Sequence, residues 1–218
     1  KPITNPKHAV ESAALSLCLP LAGFLGLLAV PDVPLVFFGL LAIGFFERAL
    51  RTDQLLYWAL TGWFVALGLC THYRFFLYPA AAIIFLTYFT TARSQWKNPR
   101  LWLCILIACV GLIPILWFNL SNHLSSASFY FVDRHPWEFQ ASGLLHLFKQ
   151  AGLVTPGLYL LFGYTIYLMY QKASHGDRSA ALLLSFSLVN ILVYLLLAPW
   201  TDATSTSIHW PLSGYFPL

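Results

Sequence analysis

The segment AVPDVPLVFF, residues 29–38, sets one carboxylate between two prolines at the start of a long apolar run. Asp is a preferred N-cap residue and Pro34 suits a first helical turn, so the segment predicts a membrane helix capped by Asp32. A carboxylate at a membrane boundary is also costly, which indicates a functional task. The two interpretations are compatible, because a capping Asp is rigidly positioned.

The rest of the chain is as apolar as this segment. Of its 218 residues, 59% are hydrophobic, 17% are aromatic and 9% are charged, and the mean hydropathy is +0.70. These values lie outside the range of soluble domains. We therefore predict an all-α, polytopic membrane helical bundle, a single transmembrane domain over residues 1–218, with about seven transmembrane helices and the start of an eighth. The predicted helices are 9–30, 33–50, 54–71, 75–92, 100–118, 144–170 and 180–199, with the eighth beginning near 210.

Basic residues divide the connections into two sets when successive connections alternate across the membrane. Nine of the twelve Lys and Arg residues fall on one side, and only Arg74, Arg134 and Lys149 fall on the other. The positive-inside rule makes the richer side cytoplasmic, so Asp32 and residues 119–142 are expected to be external. The net charge of +4 then reflects orientation and contact with membrane lipids, and we predict no nucleic-acid partner. The nine residues are Lys1, Lys7, Arg48, Arg51, Arg93, Lys97, Arg100, Lys172 and Arg178.

The segment THYRFFLYP, residues 71–79, places His72, Tyr73 and Arg74 at the external interface. Two ring donors and a guanidinium suit a phosphate or pyrophosphate. The alternative is an interface belt in which Tyr and Arg reach toward lipid headgroups, and spacing alone favours it.

Residues 119–142 form the longest polar stretch and are expected to be an external loop, with an interfacial helix as one option. Asp133 and His135 could bind a divalent metal together with His123, although the spacing matches no strong motif and surface hydrogen bonding is the simpler account. No cofactor is otherwise predicted. The polar and aromatic residues of this loop are Asn119, Asn122, His123, Asp133, Arg134, His135, Trp137 and Glu138.

The final segment, HWPLSGYFPL, sets His209 and Trp210 just before Pro211, where a helix is expected to re-enter the membrane. An interfacial Trp is ordinary in a membrane protein. Stacking of Trp210 on a sugar is the functional interpretation. Because the chain begins at Lys1 rather than Met and this apolar run is short, we expect the sequence to be part of a longer protein, truncated at both ends.

Four segments occur in an order typical of one family. PLVFF after Pro31 and Asp32, then GLCTHYRFFLYP, ILWFNLSNH and HWPLSGYFPL, together resemble the bacterial branch of the protein mannosyltransferase and aminoarabinose transferase family, glycosyltransferase family 39. These are membrane glycosyltransferases of the GT-C class. Each motif is short, and their order along nearly the whole chain makes the resemblance specific.

The resemblance implies transfer of a sugar from a polyprenyl-phosphate donor to a lipid, glycan or protein acceptor on the periplasmic face of a bacterial inner membrane. It implies that Asp32 is the second active-site carboxylate, near the donor phosphate. His72 stands where the family's Ser-Lys-Tyr connection has a phosphate-binding lysine, so Arg74 is expected to supply the permanent charge. The remaining implied substrate-binding residues are Asn119, His123, Asp133, Arg134, His135, His209 and Trp210.

The resemblance also implies a principal catalytic acid in the first external loop, upstream of Lys1, so this stretch is expected to be catalytically incomplete. A transporter or lipid flippase is the main alternative function. Transporters usually hold ionisable residues near the bilayer midplane in symmetric halves, whereas the charges here collect at the two faces. A non-catalytic membrane subunit is the third interpretation.

Overall fold

A computed structural model describes residues 6–17, 31–134, 137–201 and 209–218. Within these ranges the chain forms helices and turns, with no strand. The α-helices are α1 (Pro6–Leu17), α2 (Asp32–Thr52), α3 (Leu55–Leu69), α4 (Leu77–Tyr88), α5 (Thr90–Arg93), α6 (Pro99–Cys109), α7 (Ile113–Ser121), α8 (Ser125–Ser128), α9 (His146–Val154), α10 (Pro156–Ser174), α11 (Arg178–Leu197) and α12 (Leu212–Tyr215). Short 3-10 turns cover Tyr73–Phe76, Ser94–Lys97, Val110–Leu112 and Ala141–Leu145, and a π turn covers Phe129–Asp133.

Three helical stretches are long and apolar enough to cross a membrane: α2, the continuous run Pro99–Ser121 that joins α6 to α7, and α11. They confirm the helices expected at 33–50, 100–118 and 180–199. Helix α3 matches the expected helix at 54–71 but has 15 residues. Counting each of two bent helix pairs as one span gives up to five spans among the described residues. The expected number of about seven therefore stays a prediction.

Two helices expected to be continuous are broken, and those expectations were wrong. The helix expected at 75–92 ends at Tyr88, and the chain turns by 104° into Thr90–Lys97 through Phe89, which is extended. The helix expected at 144–170 divides into α9 and α10, which meet at 109°. Thr155, at the break, has a φ of 78° and precedes Pro156, whose ring disfavours helical backbone in the residue before it.

The first and the eighth of the predicted helices both differ from a single membrane-spanning helix. Helix α1 covers part of the expected helix 9–30, and residues 18–30 lie outside the described residues. The expected eighth helix is the four-residue α12. Within 119–142, the described residues form only the short turns of α8 and Phe129–Asp133, and the nine-residue α9 follows the loop.

Glycines allow the central helices to pack closely. A Cβ at Gly62 of α3 would lie 2.5 Å from the carbonyl oxygen of Cys104 in α6, and one at Gly111 would lie 2.3 Å from that of Ala66. Small residues are common where membrane helices contact one another. Lipid provides no hydrophobic driving force for helix association, so the helices depend on close van der Waals packing. Around these contacts the side chains of Trp58, Phe75 and Phe85 are fully buried.

The turns expected to be cytoplasmic meet at one end of α2. Asp53 accepts hydrogen bonds from Asn98 Nδ2 at 2.8 Å and Trp58 Nε1 at 3.0 Å, and it forms an ion pair with Arg100. The hydrogen bonds from Asn98 and Trp58 lower the pKa of this carboxyl below its ordinary value. Arg178 Nη2 donates to the carbonyl of Leu50 at 2.9 Å. Asp32 lies at the opposite end of α2, roughly 30 Å away at 1.5 Å per residue.

Candidate functional site

A buried ion pair joins α2 to the turn that follows α3. Arg74 Nη2 lies 2.7 Å from Asp32 Oδ1, and the two side chains are 5% and 7% exposed. The N-cap of α2 is Pro31, Asp32 is the first helical residue, and no side chain caps the helix. The expectation that Asp32 caps α2 was therefore wrong, because its carboxylate is directed to Arg74 instead.

The turn Tyr73–Phe76 is held in place by His72. The Nδ1 atom of His72 accepts a hydrogen bond from the backbone N–H of Arg74 at 3.2 Å, so His72 caps this 3-10 turn. Burial, together with the positive charge of Arg74, lowers the pKa of His72 to about 4. His72 is therefore neutral at pH 7 and does not replace the charge of a phosphate-binding lysine.

His209 and Trp210 close the other side of the ion pair. His209 Nε2 lies 3.3 Å from Asp32 Oδ2, and the His209 side chain is 28% exposed. The guanidinium carbon of Arg74 lies 4.9 Å from the centroid of the buried Trp210 ring. The same indole is contacted by Arg134, whose guanidinium carbon lies 5.4 Å from the ring centroid. Trp210 therefore holds two cations close together by cation–π attraction.

The π turn Phe129–Asp133 adds an aromatic wall. The Tyr130 ring centroid lies 3.9 Å from that of Tyr73 and 6.0 Å from that of His72. Arg134 lies over Tyr130 as well, at 5.7 Å. Stacked rings and guanidiniums thus connect the external loop to the turn after α3.

Four residues of this arrangement, Tyr73, Arg74, Tyr130 and Trp210, line a cavity of about 380 Å³. Asn119 lines it too, and most of the remaining wall is apolar or aromatic. Asn119 is fixed there because its Oδ1 accepts from the backbone N–H of Ala127 at 3.0 Å and its Nδ2 donates to the carbonyl of Ile115 at 2.9 Å. The other lining residues are Phe76, Leu77, Ile115, Ser126, Ala127, Phe131, Trp137, Val193, Tyr194, Leu197 and Thr201.

The structure brings together most of the residues singled out from the sequence. Asp32, the turn 72–74, Arg134 and the pair 209–210 form one connected cluster, and Asn119 lines the adjoining cavity. His123 and Asp133 are exposed and make no described contact with the cluster. Asp133 accepts instead from Ser128 Oγ at 3.2 Å.

The suggested metal ligands do not converge among the described residues. No group of three or more His, Cys, Asp or Glu side chains suited to a metal is present in that part of the chain. His135 lies outside the described residues, so a site that includes it stays a prediction.

Sequence reasoning did not single out Tyr130 or Tyr194. Tyr194 lines the cavity from α11, and its ring lies 5.5 Å from that of Trp210. The sequence contained only a weak signal for Tyr194. Tyr194 follows Asn190 by one helical turn inside an otherwise apolar run, so the two polar groups share a helix face. Tyr130 was visible only as part of an aromatic segment, FYF.

The fold and cluster define a helical membrane protein with a cationic, aromatic site at one end of its bundle. The family model of dolichyl-phosphate-mannose-protein mannosyltransferases matches residues 1–118, more than half of the chain, and the protein belongs to this family. Membership makes it a membrane glycosyltransferase of the mannosyltransferase type. No curated protein and no solved structure gives a significant match. The matched region contains Asp32 and the turn 72–74 but ends before Asn119.

Proposed function

We propose that the protein transfers a sugar from a polyprenyl-phosphate donor to a lipid, glycan or protein acceptor. The reaction takes place at the membrane end that contains Asp32 and Arg74. The excess of basic residues in the opposite turns makes this end external, periplasmic in a bacterial inner membrane.

One observation carries the proposal: Arg74 lines a cavity whose walls are otherwise largely apolar and aromatic. A polyprenyl-phosphate sugar has the same division, with an anionic head and a hydrocarbon tail. The Nε atom of Arg74 is buried without a hydrogen-bond partner in the described residues. A buried donor in this state costs about 1–3 kcal/mol, which a phosphate oxygen would offset.

The cations have separate roles in this proposal. Arg74 binds the donor phosphate and stabilises the negative charge that develops on it as the sugar departs. Arg134 supplies a second cation from the loop, since no carboxylate of the described residues forms an ion pair with it. His72, which is neutral, shapes the turn that presents Arg74.

Asp32 acts in the proposal by positioning other groups. Its Oδ1 atom accepts from Arg74, its Oδ2 atom faces His209, and the side chain does not line the cavity. Removing the carboxylate would leave the buried guanidinium without its partner, and breaking such a pair commonly costs about 3–5 kcal/mol.

The test uses the full-length protein in detergent, supplied with polyprenyl-phosphate sugars, and measures release of polyprenyl phosphate. We expect Arg74→Gln to reduce release at least about 100-fold, as when a donor to the developing negative charge is lost. Asp32→Asn should also reduce release, because Arg74 then loses the carboxylate that holds it in place. Asp53→Asn is the matched control, because it removes the carboxylate of an ion pair at the opposite end of the same helix. This control should keep nearly full activity.

Thermal unfolding of each variant separates loss of function from loss of folding. Equal release by wild type, Asp32→Asn and Arg74→Gln would overturn the proposed site. Absence of release from folded wild-type protein with every polyprenyl-phosphate sugar tried would overturn the enzymatic function and favour a transporter or a non-catalytic subunit.

A further inference from the structure

Tyr194 reaches the cavity from a helix that is firmly held in the bundle. The residue lies on α11, lines the cavity and is buried, and its ring lies 5.5 Å from that of Trp210. One helical turn earlier, Asn190 donates to the carbonyl of Phe186 at 2.9 Å and accepts from Ser213 Oγ of α12 at 3.1 Å. Because these contacts hold the helix and the ring, the hydroxyl of Tyr194 has a fixed position at the cavity wall.

The Tyr194 hydroxyl lies beside the guanidinium of Arg74 and makes a side-chain hydrogen-bonding contact with it. A guanidinium has donors only, so the phenol oxygen is the acceptor in this contact. The O–H of Tyr194 is therefore left to donate to another group. Among the described residues, no oxygen or nitrogen atom accepts a hydrogen bond from it. Tyr194 thus brings a spare proton donor to the cavity, next to a cation.

Arg74 has a spare donor of its own at the same place. Its Nη2 atom donates to Asp32, whereas its buried Nε atom has no hydrogen-bond partner among the described residues. No Asp or Glu is present in the described lining of the cavity, so no carboxylate there competes for these donors. An anionic oxygen suits two such donors best, because hydrogen bonds to a charged group are shorter and stronger than those between neutral groups.

We propose that Tyr194 binds the donor phosphate together with Arg74, its hydroxyl donating to a non-bridging phosphate oxygen. This inference rests on the proposed glycosyl transfer, which places the donor phosphate at Arg74. The phosphate gains negative charge as the sugar departs, so the hydrogen bond from Tyr194 strengthens during the reaction. Tyr194 therefore contributes both to donor binding and to stabilisation of the departing polyprenyl phosphate.

The test measures binding of polyprenyl phosphate and of polyprenol, which has the same tail without the phosphate, to the full-length protein in detergent. Tyr194→Phe removes only the hydroxyl and keeps the ring against Trp210. We expect this variant to bind polyprenyl phosphate about 10-fold to 100-fold more weakly, as when a hydrogen bond to a charged group is lost, and to bind polyprenol as wild type does. Tyr164→Phe, at an exposed position of α10, is the matched control and should bind both ligands normally.

A double substitution separates direct contact with the phosphate from an effect through Arg74. Arg74→Lys keeps a cation but removes the guanidinium that contacts Tyr194. If the hydroxyl donates to the phosphate itself, adding Tyr194→Phe to Arg74→Lys weakens binding of polyprenyl phosphate further. No further loss in that background would overturn the direct contact and assign Tyr194 to the positioning of Arg74.

Sugar transfer and thermal unfolding are measured on the same proteins, so that the possible failures can be told apart. Wild-type binding by folded Tyr194→Phe, or equal weakening of both ligands, would overturn this inference and leave the proposed transferase intact. A wild type that binds polyprenyl phosphate through Tyr194 but transfers no sugar would overturn the transferase and leave the phosphate site. A wild type that binds polyprenyl phosphate no more tightly than polyprenol would overturn both.

Discussion

At the scale of single residues, the site combines charges that neutralise one another with one cation, Arg134, that has no ion-pair partner among the described residues. The ion pair between Asp32 and Arg74 offsets the desolvation cost of burying the two charges. Either ion buried alone would be strongly destabilising. Arg134 is held differently, by the rings of Trp210, Tyr130 and Phe129. A cation held by aromatic faces keeps its hydrogen-bond donors available for an anionic ligand.

The lowered pKa of His72 predicts that the stability of the folded protein depends on pH. Its pKa is about 4 in the folded protein and about 6.5 ordinarily, so between these values the unfolded chain binds more protons. Stability therefore rises with pH across this window and is lost as the pH falls from about 6.5 to about 4. After discounting for solvent screening of a half-buried ring, the loss is about 1–2 kcal/mol.

The measurement is the pH dependence of thermal unfolding for wild type and His72→Asn in detergent. Asn retains an acceptor for the N–H of Arg74 but does not titrate, so the variant should lose less stability between pH 6.5 and 4. His175→Gln should behave as wild type. Identical pH profiles for wild type and His72→Asn would contradict a neutral His72 in the folded state.

At the scale of helices, the packing of α3 against α6 depends on the absence of a side chain at Gly62. We expect Gly62→Ala to destabilise the protein by about 1–3 kcal/mol, because the new methyl group meets the backbone carbonyl of Cys104, which cannot move aside alone. The midpoint of thermal unfolding should fall by roughly 2–4 °C for each kcal/mol.

Gly163 of α10 provides the control for this substitution. No atom lies within 4 Å of a Cβ placed there, and Ala is a better helix former than Gly. Gly163→Ala should leave the unfolding midpoint unchanged or raise it. An equal loss of stability in both variants would mean that close packing of α3 and α6 is not what Gly62 provides.

The helices themselves were predictable where the apolar run was long and free of proline near its middle. The runs beginning at Val33 and Ala180 each contain enough apolar residues to define one helix. Whether the helix breaks at Thr155 depends on tertiary packing, because Pro156 can either begin a new helix or kink a continuing one. The proline alone does not decide between these outcomes, which is why a continuous helix was expected over 144–170.

The sequence suggested several residues of the candidate site but not how these residues contact one another. The residue types in THYRFFLYP and HWPLSGYFPL suggested the turn 72–74 and the pair 209–210, and the family resemblance carried by the order of these segments implied their roles. The pairing of Asp32 with Arg74, 42 residues apart, depends on how α2 packs against α3. The sequence pattern around Asp32 contains no information about a contact with a residue so far along the chain. Asp32 was therefore expected to cap its own helix.

At the scale of the whole molecule, the two ends of the bundle carry different chemistry. One end holds Asp53 with Arg100 and the basic turns, and the other holds the Asp32 cluster. We expect a cysteine introduced at His175 to react with a membrane-impermeant maleimide only from the cytoplasmic side. One introduced at His123 should react only from the outside. Both positions are exposed.

This labelling uses intact and permeabilised cells, in a background in which the native cysteines are replaced by Ala or Ser. A control cysteine at Leu182, which is 1% exposed, should stay unlabelled in both preparations. Labelling of both positions from the same side would contradict the separation of the two ends, and labelling from reversed sides would place the Asp32 cluster in the cytoplasm.

The bend at Thr155 has a consequence for how the chain is assembled during synthesis. Helix α9 buries Gln150 and His146 against each other, and Gln150 accepts a hydrogen bond from Tyr215, 65 residues later in the chain. Tyr215 is synthesised after both α9 and α10. The hydrogen bond between Gln150 and Tyr215 can therefore form only once residue 215 has been made, so the elbow between α9 and α10 gains this contact later than the hydrogen bonds within each of the two helices.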